Sequence, residues 1–479
     1  LRSTMKHNID GAFILECTNT NVRDEYRAHT IRPLAPFALH NVFHQRNIPS
    51  TVINYTDFWH PITLIEMFEK WVTRMGVKNP VIVCSTLFNN YMLKGDNTVT
   101  TFIRKIKQEY NVKLVVGGPI NLIDYSLDSV IPDAVFQGRS LHLFERWLEG
   151  SDALPGTVET VNGVQKFHNP SNEVIEDPIV PELHDDFCLH KNDIINFETR
   201  LGCKFNCTFC NFEFRNAKKV NDASVSKLER FFRIANGRYG INTFSCVDDT
   251  FNEDDTKIQT LHTATGMLDF KPTIVGYNRF DIMMARPYQA ELLDECGFHG
   301  HYFGIETLNR DASKMIRKGI RKQRAYDFMR FIKDKFPHWH TCAGYIMGIP
   351  GEPLEEAIET MSHIADNRLL KSIIPNSLGL YRIPGNEHNY SEMSKNPEKF
   401  GIHLTEQKSG HDVFWTSATT DKRTADIAAL RAASILGKKH CKPLDPWEWA
   451  SSRTTGHGES AHNHIRRYIS RKVDYITWL

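Results

Sequence analysis

The chain has 479 residues, 41% hydrophobic and 24% charged, a composition that excludes a disordered protein and allows two or three domains with substantial cores. Its 58 basic and 57 acidic side chains nearly cancel, so no global field directs it to nucleic acid or an anionic membrane. It lacks any run of about 18 apolar residues that would span a bilayer, and Ala12–Leu15 is too short for the apolar region of a secretory signal, so a cytoplasmic location is expected.

Leu1–Thr4 precede the first methionine, which places the expected natural start at Met5. From about 11 to 150, short apolar runs alternate with amphipathic stretches, the pattern of a parallel α/β sheet. Strands are expected at 12–17, 51–55, 81–85, 113–117 and 134–136, with helices near 61–76, 98–109 and 140–149. This gives a Rossmann-like, doubly wound domain over 5–150. Residues 151–190 are richer in Pro, Asn, Asp and Glu and read as a linker with a hairpin around Gly163.

A second α/β series occupies 191–395. Its strands are expected at 194–197, 241–246, 273–277, 301–305, 341–347 and 377–381, with helices at 223–236, 287–296, 322–335 and 354–367. Six βα units in succession imply a full or partial (β/α)6 barrel with its chemistry at the carboxyl ends of the strands. Beyond 396 the repeat is lost, and a mixed extension with one good helix at 424–438 runs to Leu479. His457, His462, His464, Arg466, Arg467, Arg471 and Lys472 in this tail read as a solvated polar segment.

Cys203, Cys207 and Cys210 stand in Arg200-Leu-Gly-Cys-Lys-Phe-Asn-Cys-Thr-Phe-Cys-Asn211, directly after the first strand of the second series. Three thiolates so spaced wrap one face of a 4Fe-4S cluster and leave the fourth iron open to a small molecule. Half of a zinc site and a disulfide pair are the competing readings; no second cysteine or histidine pair follows at a zinc-finger distance, and the other seven cysteines are scattered.

With Phe209 before its last cysteine, this stretch resembles the cluster signature of the radical S-adenosylmethionine (radical SAM) superfamily. Ser245–Asn252, Phe303–Asn309, Gly344–Glu352 and Tyr381–Asn386 resemble later motifs of that family, in order, so the likeness covers roughly 190–390. It implies that S-adenosylmethionine chelates the open iron and is cleaved reductively to methionine and a 5'-deoxyadenosyl radical, with an electron donor such as flavodoxin or ferredoxin and a small-molecule or natural-product substrate. It also implies that Asp248 and Asp249, where the family has Gly-Gly-Glu, meet the methionine ammonium, with a helix cap as the competing role. Glu306 would face the ribose or ammonium, with a salt bridge to a barrel lysine or arginine as its alternative. Gly344, Ile346 and Gly348 would admit the adenine, and Arg279 is either a cofactor contact or a surface arginine.

Ser85-Thr-Leu87 and Gly117-Gly118 resemble two elements of the cobalamin-binding fold, the serine loop and the glycine pair for the nucleotide tail. The third, a loop whose histidine ligates cobalt, is missing where the chain reads Cys17–Arg23. Cobalamin is therefore a candidate cofactor, and a methyltransferase is the leading reading. A cobalamin-independent radical rearrangement, oxidation or sulfur insertion is the second, and a non-enzymatic Fe-S or zinc redox sensor or scaffold the third.

Overall fold

The computed structural model describes residues 8–17, 30–85, 95–118, 130–150, 158–161, 163–168, 177–212, 221–382, 390–409, 412–439, 441, 444–454 and 461–479. The chain divides into two compact units, the first comprising Leu1–Asp193, Arg238–Gly240 and Thr455–Leu479, and the second Ile194–Gly237 and Ile241–Thr454.

In the first unit the parallel strands lie in the order Ser50–Ile53, Gly11–Glu16, Pro80–Ser85, Lys113–Gly118 and Ala134–Gln137. Numbered along the chain this is 2-1-3-4-5, the flavodoxin-like form of the doubly wound sheet, which binds ligands beyond the carboxyl ends of its strands. Phe13, Phe68, Trp71 and Phe102 pack together in its core, and each is 1% exposed or less. Of the residues expected as linker, the hairpin expected around Gly163 is formed and extends the sheet: Val164–His168 pairs parallel with Ala134–Gln137 and antiparallel with Val158–Val161.

The tail reading is corrected in the same unit. Helix Ala461–Trp478 is tied down through its polar groups: Lys472 Nζ lies 2.7 Å from Asp186 Oδ1, and His464 Nε2 lies 3.0 Å from Asp193 Oδ1, with all four side chains buried. Tyr468 Oη donates to Val52 O and accepts from the Asn54 N–H. One face of this polar sequence is buried because Lys472 and His464 each meet a carboxylate, while Arg466, Arg467 and Arg471 stay exposed as expected. His457 lies outside the described residues, as does the side chain of His462.

The second unit carries six parallel strands in chain order: Ile194–Phe197, Thr243–Cys246, Thr273–Arg279, Phe298–Glu306, His340–Met347 and Ser372–Ser377. Helices Val225–Tyr239, Asp255–Gly266, Lys322–Lys335 and Leu354–Asp366 connect them in βα fashion. The sixth strand starts five residues before its expected start of 377 and contains Pro375. The proline is tolerated at the sheet edge, while Leu378 and Leu380 leave the ladder to pack beneath Trp415. The extension adds the hairpin Ile402–Ser409 with Asp412–Ser417, helix Lys422–Gly437 and helix Pro446–Thr454.

Candidate active site

The cysteine loop begins where the first barrel strand ends, at Thr199 and Arg200, and it is held by buried charge. Asp248, 1% exposed after the second strand, accepts from the Thr199 N–H at 2.7 Å and from Thr199 Oγ1 at 2.5 Å. Its Oδ2 also lies 2.7 Å from Lys257 Nζ, and both side chains are inaccessible to solvent. Arg200 donates to Asp222 through Nε and Nη2 and to Glu253 and Asp254 through Nη1. The second oxygen of Glu253 accepts from the Lys204 N–H at 2.9 Å, one residue past Cys203.

On its other side the loop is pinned by Arg317, which donates to Asn206 O at 2.8 Å, and by Asn211 Oδ1, which accepts from the Ser391 N–H at 2.7 Å. Phe209 is partly buried against the cluster containing Ile349, Leu378 and Trp415, so its ring serves loop packing.

Cys203, Cys207 and Cys210 are all half-buried and unpaired. Burial raises the thiol pKa of Cys203 and pushes that of Cys210 up to about 12, the neighbouring cysteines adding to the latter. Such thiols stay protonated at neutral pH unless a metal supplies positive charge, so the donor set suits metal ligation rather than free-thiolate catalysis.

Arg279 ends the third strand, 6% exposed, with Nη1 donating to Cys207 Sγ at 3.3 Å and its guanidinium 3.8 Å from the Phe205 ring centroid. Asp281 accepts from it through two oxygens, and Asn252 fixes its backbone by accepting from its N–H and donating to its carbonyl. A surface arginine is thereby ruled out.

Other site residues have roles that the motifs did not suggest. Both Asp248 oxygens are engaged by protein donors, and the cap on helix Asp255–Gly266 is Asp254, which accepts from the Lys257 N–H. Asp249 is half-exposed beside them. Glu306 has a left-handed φ of 67° and its Oε1 lies 3.1 Å from Lys318 Nζ, so the salt bridge is formed.

At two of the glycines expected to admit adenine, protein side chains already approach closely. A Cβ on Gly344 would meet Tyr302 Oη at 2.8 Å, and one on Gly348, whose φ is +87°, would meet Trp415 at 2.7 Å. Ile346 packs against the Trp415 cluster. Tyr277 and Tyr302 are register partners on adjacent strands, with ring centroids 5.2 Å apart, and Tyr277 lies 4.6 Å from Trp447, whose indole N–H donates to Ser245 Oγ at 2.7 Å. Tyr277 precedes Arg279 by two residues, so both side chains project from one face of their strand.

At the carboxyl edge of the first unit's sheet, Ser85 is buried at the end of its strand and Gly117 pairs with it. Among the described residues, a Cβ on Gly117 would approach nothing closer than Phe136 O at 3.7 Å, an ordinary contact. Gly118 follows half-buried, while Leu87 and Thr18–Arg23 lie outside the described residues.

Glu352 carried no expected role. Its Oε1 accepts from Tyr345 Oη, which itself accepts from the Leu308 N–H, linking the fifth strand to the turn after Glu306. Burial pushes Glu352 up to about 7, against the lowering effect of Tyr345. With a folded-state pKa above its unfolded value, this group weakens the fold as pH rises from about 4.5 to about 7. Glu352→Gln is therefore expected to stabilise the protein by up to roughly 3 kcal/mol at pH 8 and by little at pH 4.5. Urea midpoints at the two pH values check this, and equal gains at both would refute it.

Comparison with known proteins agrees with this geometry. Residues 198–364 match the model of the Radical SAM superfamily. The uncharacterized methyltransferase PH0819 of Pyrococcus horikoshii is 27% identical over 285 residues, which cover 55% of this chain and 60% of that protein. The match thus spans less than two thirds of that relative.

Among solved structures, the radical SAM methyltransferase TsrM from Kitasatospora setae, bound to cobalamin and a [4Fe-4S] cluster, superposes with a TM-score of 0.60 at 13% identity. That match covers 98% of this chain and 99% of TsrM. The cobalamin-dependent radical SAM enzyme OxsB, with aqua-cobalamin and S-adenosylmethionine bound, gives a TM-score of 0.53 at 13% identity over 94% of this chain and 66% of OxsB. At such identities the likeness is one of fold.

Proposed function

We propose that this chain, whose residues 198–364 form a radical SAM domain, is a radical SAM enzyme of the cobalamin-dependent methyltransferase type. The observation that carries the reading is the cysteine triad at the mouth of a six-stranded parallel barrel, held by Asp248 and Glu253 and faced by Arg279 at Cys207. A 4Fe-4S cluster with S-adenosylmethionine supplies one-electron cleavage of a carbon–sulfur bond and, with it, a hydrogen-abstracting radical.

The chain's own residues do the rest. Cys203, Cys207 and Cys210 hold the metal, while Arg279 places positive charge against the sulfur that would carry ligand charge. Asp249 and Glu306 are the acidic groups proposed to receive the cofactor's ammonium or ribose. Tyr277, Tyr302 and Trp447 pack together and are proposed to line the substrate space, which would suit a planar aromatic small molecule; TsrM has been solved with tryptophan as its substrate.

In the first unit, Ser85, Gly117 and Gly118 are the proposed cobalamin contacts. Gly117 supports this because it pairs with Ser85 at the carboxyl edge of the sheet, where this fold binds its ligands. An external one-electron donor of the flavodoxin or ferredoxin kind and a cytoplasmic location belong to the same proposal; no described helix is long and apolar enough to cross a membrane.

Anaerobic reconstitution should load iron and sulfide and yield methionine and 5'-deoxyadenosine from S-adenosylmethionine. Cleavage no higher than in Cys203→Ala, or one zinc without sulfide, would sink the proposal. Cobalamin titration should shift the visible spectrum, and Gly117→Val should weaken that binding by about tenfold or more, since a branched side chain would fill the approach. Absence of any cobalamin binding would leave the cobalamin-independent reading.

A further inference from the structure

A second cluster of donor side chains lies in the first unit and is made of residues not used above. His44, at the carboxyl end of helix Leu34–Gln45, meets Glu182 and His184, and one ligand atom from each lies within 4.8 Å of the others. The rings of His44 and His184 are 4.4 Å apart, with His40 one turn earlier at 4.8 Å from His184.

His184 Nε2 lies 3.1 Å from Asn41 Oδ1. An amide oxygen only accepts, so Nε2 carries the hydrogen and Nδ1 keeps its lone pair. A ligating histidine is normally held this way, with its second ring N–H given to a carbonyl or carboxylate that fixes ring and tautomer. His40, 5% exposed, lies beside the cluster with Nε2 3.7 Å from Asp186 Oδ2 and no hydrogen-bond partner on Nδ1 among the described residues.

We propose that His44, Glu182 and His184 bind a divalent transition metal of the zinc or cobalt class, with Asn41 as the positioning residue. Two imidazoles and one carboxylate suit a borderline ion rather than calcium or magnesium, which prefer oxygen ligands alone. His44 and Glu182 are exposed, which leaves room for water to complete the coordination. The ion would staple the helix Leu34–Gln45 to the segment ending in Asp185–Phe187, far away in sequence. This inference is independent of the radical SAM reading, because it uses none of the three cysteines.

The test is cobalt titration, followed by visible absorbance, of the full chain carrying Cys203→Ala, Cys207→Ala and Cys210→Ala to remove thiolate competition. A micromolar site is expected, weakened about 100-fold by His44→Ala or His184→Ala and about tenfold by Asn41→Ala. Zinc should raise the melting temperature of the cluster-loaded native chain but not of its His44→Ala variant; His44 is exposed, so folding is not at stake in that variant. Asp294, His299 and His338 also gather within 4.8 Å of one another, so His338→Ala is run in parallel. Unchanged cobalt binding in His44→Ala and His184→Ala, binding abolished by His338→Ala alone, or no binding below millimolar metal would each overturn the proposal.

Discussion

Asp248→Ala is expected to destabilise the protein by roughly 3–5 kcal/mol and to empty the cysteine site of most of its iron, because one carboxylate serves both fold and loop. Its removal takes the close carboxylate from the ammonium of Lys257, whose side chain is fully buried and retains the Thr250 carbonyl at 2.7 Å and Glu253 at 3.5 Å. Burial acts to lower the Lys257 pKa, yet the Asp248 and Glu253 charges hold it above its ordinary value, so the lysine stays charged.

The same substitution takes away the acceptor for Thr199 N–H and Oγ1, where the cysteine loop leaves the first strand. The double variant Asp248→Ala, Lys257→Met separates these effects. Removing the buried cation should recover part of the stability, measured by urea unfolding, while iron and sulfide content stays low because Thr199 remains unanchored. Normal cluster loading in the single variant would show that the anchor is dispensable.

This double duty also explains what the sequence could and could not reveal. The cysteine triad was legible because three ligands within eight residues are a local pattern. The alternating runs of both α/β series were legible for the same reason, since apolar period and turn residues act over short range.

The Asp248, Lys257, Glu253 and Arg200 network was not, because Arg200 meets its partners across intervals of 22 to 54 residues that no periodicity records. Gly344 and Gly348 were read as room for a cofactor. A glycine signals only that something approaches closely, and here the visitors are Tyr302 and Trp415. Lys472 and His464 looked solvated because a charged residue's partner, not its own identity, decides whether it can be buried.

Arg279 carries the other large effect. Its guanidinium is buried between Phe205, Cys207 and Asp281, and although burial acts to lower its pKa, Asp281 and the cysteines hold it above its ordinary value, so it remains a cation. A positive charge donating a hydrogen bond to a ligand sulfur favours the more negative, reduced state of whatever metal centre that sulfur holds. Arg279→Met is therefore expected to lower the midpoint potential of the reconstituted centre by roughly 50–100 mV, the one-electron equivalent of losing a charge-assisted hydrogen bond. S-adenosylmethionine cleavage at a fixed reductant should fall with it.

Arg279→Lys should give a smaller shift, because an ammonium keeps the charge but cannot pair with both oxygens of Asp281 while lying flat over Phe205. Asp281, 14% exposed, would lose its bidentate partner in the methionine variant, so Arg279→Met with Asp281→Asn removes that penalty and should keep the potential shift with better stability. Potentials come from spectroscopically monitored redox titration of samples matched in iron content. An unchanged midpoint in Arg279→Met at full loading would mean that the Arg279 contact to Cys207 is packing alone.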